Sequence, residues 1–111
     1  MIEAAQLDQI IAQYEKHGWK LRLVLASETA RDALQKGIPD TPISEAEIDA
    51  AWFSRSSKPG VTAWDIRLLS GEPYALVEVI DDAADQDHLE SVLRGAEEKI
   101  RQIALKRRPQ N

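Results

Sequence analysis

The sequence predicts an α+β domain: a four-stranded, mostly antiparallel sheet with the first and last helices packed on one of its faces. Three observations carry that prediction. Apolar residues recur at three-then-four spacing near both ends of the chain, which marks helices with one buried stripe. Between them, several segments switch to strict alternation, the period of a half-buried strand. Pro-Gly and Gly-Glu-Pro punctuation separates the last three of those segments, as in a meander.

Taken in order, Leu7, Ile10, Ile11 and Tyr14 form the first helical stripe, between Glu3 and His17, and Gly18 is placed to end that helix in a left-handed conformation. Trp19, Leu21, Leu23 and Leu25 then alternate with Lys20, Arg22 and Val24, predicting a strand with one buried face. Ser27 or Thr29 opens a short helix through Ala30, Ala33 and Leu34 that Gly37 closes, and Ile38-Pro39-Asp40-Thr41-Pro42 reads as a connector. Ser44 and Glu47 fit a capping box, so a further short helix is expected from Glu45 to about Ala51. Trp52 either ends that helix or begins a strand. Lys58-Pro59-Gly60-Val61 has the Pro and Gly positions of a type II turn. Strands are expected over Val61–Leu69 and Tyr74–Ile80, joined by a turn at Ser70-Gly71-Glu72-Pro73. The final helix carries its stripe on Leu89, Val92, Leu93, Ala96, Ile100 and Ile103. Its aspartates at 81, 82, 85 and 87 and its Lys106-Arg107-Arg108 ending suit the two ends of the helix dipole.

The chain has 111 residues, enough for one domain spanning 1–111 and one core. It has no cysteine, which excludes disulfide frameworks, thiol nucleophiles and Cys-ligated metal clusters. Lys+Arg number 14 and Asp+Glu 19, so 14 − 19 = −5, a balance that argues against nucleic acid or an anionic membrane as main partner. The N-terminal Met1-Ile2-Glu3-Ala4-Ala5-Gln6 lacks the basic and apolar regions of a secretory signal. The most apolar segments are far shorter than the roughly 20 residues of a membrane span. A cytoplasmic location is therefore expected.

Counting outward from turns at Pro59-Gly60 and Gly71-Glu72 sets Arg55 opposite Trp64, Phe53 opposite Ile66, Trp64 opposite Val79 and Ile66 opposite Val77. In that register Trp64, Ile66, Leu68, Val77 and Val79 face the helices. The far face then carries Arg22, Trp52, Asp65, Arg67, Leu69, Tyr74, Leu76 and Glu78, an apolar patch bordered by charge. Asp65 lies opposite Glu78, a like-charge pair that calls for a neutralising cation, a metal or a split pair of pKa values. A metal-dependent nuclease of the restriction-enzyme type needs a Lys two residues after its second acid, whereas Glu78 is followed by Val79-Ile80.

His17 and His88 are in no metal-binding spacing, and the hydroxyl-rich 54–60 hairpin tip lacks the phosphate-loop pattern. No catalytic residue, metal ligand or cofactor is assigned. The expected function is a small non-enzymatic interaction module that self-associates, as a homodimer, through the far face of its sheet, with a further protein partner allowed. The alternatives are a small hydrolase or ligand-binding enzyme using the carboxylate, Arg67 and Tyr74 cluster, and an acidic, immunity- or antitoxin-like binder of a basic partner.

Overall fold

The first helical stripe forms α1 (Ala4–Lys16). Gln6 Oε1 accepts the Glu3 N–H at 3.2 Å at its start, and Gly18, at φ +87°, turns the chain out of its end. The structure, a computed structural model that describes residues 3–69 and 73–106, continues with β1 (Lys20–Ala26), α2 (Glu28–Gln35), β2 (Ile43–Glu45), β3 (Ala50–Lys58), β4 (Val61–Leu68), β5 (Ala75–Asp81) and α3 (Gln86–Lys106). The strands make one sheet in the order β2-β1-β3-β4-β5, with β1 and β2 parallel and every other neighbouring pair antiparallel. The α+β class and the meander of β3, β4 and β5 match the expectation, and Trp52 is extended within β3.

Two features differ. The sheet has five strands rather than four, because the segment carrying the Ser44 and Glu47 pattern is not helical. Ile43 instead pairs with Val24, and the Ala46 N–H donates to the Ala26 carbonyl at 2.9 Å. Backbone pairing to an adjacent strand satisfies these groups, so the local capping preference is overridden.

The second difference concerns the helices, which do not share a face. Tyr14 of α1 stacks on Phe53 with ring centroids 4.0 Å apart, whereas the preceding residue in β3, Trp52, donates its indole N–H to Glu97 of α3 at 3.3 Å. Successive strand residues point to opposite sides, so α1 and α3 lie on opposite faces. The cause is legible in β3 itself, where Ala50, Ala51, Trp52, Phe53 and Ser54 are all buried. A strand buried on both sides requires cover on both sides.

Two cores result. One joins Leu7, Leu34, Val24, Ala51 and Phe53 beneath α1 and α2; the other joins Leu25, Trp52, Ile66, Leu68, Ala96 and Ile100 beneath α3. A bulge between Leu21 and Leu23 splits the β1 leucines between them, Leu21 packing with the first and Leu23 and Leu25 with the second. The helices cover different parts of the sheet. α1 lies on β1 and α2 on β2, while α3 lies on β4 and β5. Arg101 fastens α3 to the β2–β3 connection, reaching Glu47 at 3.4 Å while also holding Glu98 at 2.7 Å.

Candidate functional site

The Pro59-Gly60 turn forms as its residues predict: Gly60 has φ +80° and Lys58 pairs with Val61. A bulge between Ser56 and Lys58 then shifts β3 by one residue. A turn with positive φ only at its second central residue splays paired strands, and a bulge restores their twist. As a result Arg55 opposes Ala63 and Phe53 opposes Asp65, in place of Trp64 and Ile66. At the next hairpin Trp64 opposes Glu78, Ile66 opposes Leu76 and Asp65 opposes Val77. The expected second turn lies largely outside the described residues, at 70–72.

A one-residue slip turns every side chain of a strand to the other face. Asp65, Arg67 and Leu69 are therefore on the α1 side, while Arg22, Trp52, Tyr74, Leu76 and Glu78 are on the α3 side. The eight residues do not form a single surface. Asp65 and Glu78 stand back to back across the sheet and make no carboxylate pair. Trp52 is 5% exposed, and Leu69 is buried beside Phe53 and Val24. Leu76 and Tyr74 pack into the core beneath α3, so the expected bare face is covered.

What the slip does assemble is a half-open surface on the α1 side. Asp65 is 6% exposed there and accepts a hydrogen bond from the Tyr14 hydroxyl, Oδ1 to Oη, at 3.1 Å. Burial pushes the Asp65 carboxyl above its ordinary value, against the opposing pull of the Tyr14 hydrogen bond and the nearby Arg67 guanidinium. Tyr14 is raised as well, first by burial and then by the negative charge of Asp65. The ring of Tyr14 is fixed by Phe53 and, edge-on at 6.1 Å, by Trp19. Arg55 lies 5.0 Å over Trp19 and donates to the His17 carbonyl at 2.9 Å, which closes the upper end.

Beyond this cluster α1 ends, and on this side of the sheet no helix of the described residues lies over β4 and β5. Val77 and Val79 are 53% and 59% exposed, the exposed large hydrophobics among the described residues. They project beside Asp65 and Ala63, and β5 is the last strand of the sheet. No family model, curated protein or solved structure matches the chain.

Tyr14, Val77 and Val79 are the members that sequence reasoning missed. Tyr14 reads only as part of a helical stripe, and the valines read as inward-facing until the register is known. Among the described residues no group of three or more His, Asp or Glu side chains is placed to hold a metal ion. His17 caps α1 through its backbone, and the His88 N–H donates to Asp85 Oδ1 at 2.8 Å at the start of α3. Ser54, expected in the hairpin tip, lies instead within β3, paired with Lys20 and Trp64, where it is buried and accepts from Arg22. No helix of the described chain is long and apolar enough to cross a membrane.

Proposed function

We propose that this protein is a non-enzymatic interaction module that self-associates through the open edge of β5. The observation that carries this reading is the exposure of Val77 and Val79 on an edge strand with an unblocked backbone.

The two edges of the sheet are unlike. β2 is three residues long and follows Pro42, devices that suppress edge-to-edge pairing. β5 has seven residues and contains no proline, lysine or arginine. The backbone phase also suits a partner. The Leu68 N–H donates to the Tyr74 carbonyl and the Asp82 N–H to the Gly60 carbonyl, both at 2.9 Å. Bonded residues alternate along an antiparallel ladder, so the amides of Ala75, Val77 and Val79 point away from β4 toward the open edge.

A second copy of β5 complements that edge when the twofold axis passes through Val77. Val77 then meets Val77, Ala75 meets Val79, and Leu76 meets Glu78. Moving the axis to Glu78 sets two carboxylates opposite each other, which is unfavourable. The valines of both copies join into one apolar strip, and the partner is a copy of the same chain.

Amide hydrogen exchange measured over a range of protein concentrations tests the reading. Protection of Val77 and Val79 is expected to rise with concentration while that of β2 stays constant. Fast exchange at these two amides at every concentration would overturn it.

A further inference from the structure

α3 runs back along β5 on the side of the sheet away from α1, and its two flanks are unlike. Glu97 and Arg101 point toward β3, reaching the Trp52 indole and Glu47. Across the buried stripe of Ala96 and Ile100, helical spacing places His88, Val92, Gly95 and Lys99 on the flank that faces the β5 edge. We infer, resting on the β5 pairing proposed above, that this flank packs against the same flank of a second copy. Two α3 helices then cross antiparallel over the paired strands, with Gly95 at the crossing.

The sheet sets the helix spacing. A twofold axis through Val77 continues the sheet as β4, β5 and their two copies, at about 4.8 Å per strand. α3 lies on β4 and β5, so the two helix axes come about 10 Å apart, the distance at which helices pack. Sheet twist of about 20–25° per strand turns them about 40–50° across each other, which confines close contact to one point. Glu97 meets Trp52, whose row in the sheet continues through Ile66 to Leu76. Two helical residues back and one strand residue on are both steps of about 3 Å, so Gly95 stands over Val77, beside the axis.

Three features of this flank suit a second copy. Gly is unfavourable inside a helix, yet Gly95 is exposed and a Cβ there would meet nothing within 4 Å, so no contact inside the chain calls for it. A second helix crossing at that point does, and half-buried Val92 stands one turn before it. The charges also match. Lys99, two residues beyond Glu97, lies over Ala75 and Leu76, and the pairing about Val77 brings Glu78 of the other copy to Leu76. Glu78 is half-buried, and among the described residues neither it nor Lys99 has a partner within its own chain. Finally, β5 alone is a small interface. Its seven residues make an edge about 23 Å long and about 10 Å deep, on the order of 200 Å² per copy against the roughly 800 Å² of a stable complex. The helix flank supplies area that the strand edge lacks.

The chain has no cysteine, so a single introduced thiol reports the geometry. Facing Cα atoms of helices about 10 Å apart come within disulfide range. Gly95→Cys is expected to give a disulfide-linked dimer on a non-reducing gel after mild oxidation. Arg94→Cys, on the exposed flank away from the axis, is expected to stay monomeric on the same gel. Gly95→Leu is expected to raise the dimer Kd at least about tenfold in sedimentation equilibrium, as overpacking of a close contact implies. Leu favours a helix more than Gly does, so with Val77→Lys present the Leu variant is expected to melt no lower than its Gly95 counterpart, which separates loss of the contact from loss of the fold. Suppose the parent dimerises with the Val77 and Val79 amides protected. If Gly95→Cys then cross-links no better than Arg94→Cys, or Gly95→Leu keeps the parent Kd, the helix contact is overturned and the β5 pairing stands. A parent that is monomeric at high micromolar concentration would overturn both.

Discussion

At the scale of single residues, the contact between Asp65 and Tyr14 makes the sharpest demands. The carboxyl is nearly buried, and its hydrogen bond to Tyr14 answers only part of its lost hydration. Its raised pKa means that the folded protein holds this proton to higher pH than the unfolded chain does. Between the two values the folded state binds more protons, so the contribution of Asp65 to stability falls as pH rises. Asp65→Asn keeps an acceptor for Tyr14 without the charge. The variant is expected to gain in melting temperature relative to the parent as pH is raised from the ordinary carboxylate range toward neutrality. A parallel pair of pH profiles would contradict this. Tyr14→Phe, which leaves the carboxylate without its hydroxyl, is expected to cost about 1–3 kcal/mol by denaturant unfolding at neutral pH. The cost should shrink when Asn replaces Asp65, and a double-mutant cycle measures that coupling. Asp65 stood out in the sequence as a charge between apolar strand residues. Its partner, 51 positions away, did not, because helical spacing identifies a buried stripe without saying which residue of the sheet meets it.

At the scale of elements, the register of the meander decides what reaches the surface. Alternation showed where β4 and β5 lie and that Trp64, Ile66 and Leu68 share a face, and the structure places all three on the α3 side. What alternation lacks is phase between strands, which the bulge between Ser56 and Lys58 and the second hairpin each alter by one residue. That single step exchanged Val77 and Val79 for Leu76 and Glu78. β2 escaped notice for a related reason: three residues are too few to show a period, and a capping pattern was the stronger local signal. The turn at Gly60 was legible because Pro-Gly restricts the backbone locally. A Cβ at Gly60 would meet nothing within 4 Å, so only the positive φ opposes a side chain there. Gly60→Ala is expected to destabilise by about 1–2 kcal/mol, the usual cost of that conformation, checked by denaturant unfolding. An unchanged midpoint would show that the turn is not held in this form.

At the scale of the whole molecule, each face of the sheet is covered over part of its width. α1 and α2 lie over the β2 and β1 side of one face, and α3 lies over the β4 and β5 side of the other. This offset leaves an open surface on each side: the valine-bearing edge of β5, and a cleft beside α3 lined by residues that include Trp64 and Leu93. The α+β class, the terminal helices and the meander could be read from periodicity and turn residues. The distribution of helices between faces could not, because it depends on β3 being buried twice over. Val77→Lys directly tests whether β5 pairs with a second β5. The substitution places a charge on the open strip and, at a half-exposed site, is expected to change stability by no more than about 0.5 kcal/mol. Light scattering coupled to size exclusion, run over a range of concentrations, gives the solution mass. The parent is expected to approach twice the 12.4 kDa of one chain, with Val77→Lys remaining at that single mass. A parent that stays monomeric at high micromolar concentration, or a variant that dimerises as the parent does, would contradict the claim.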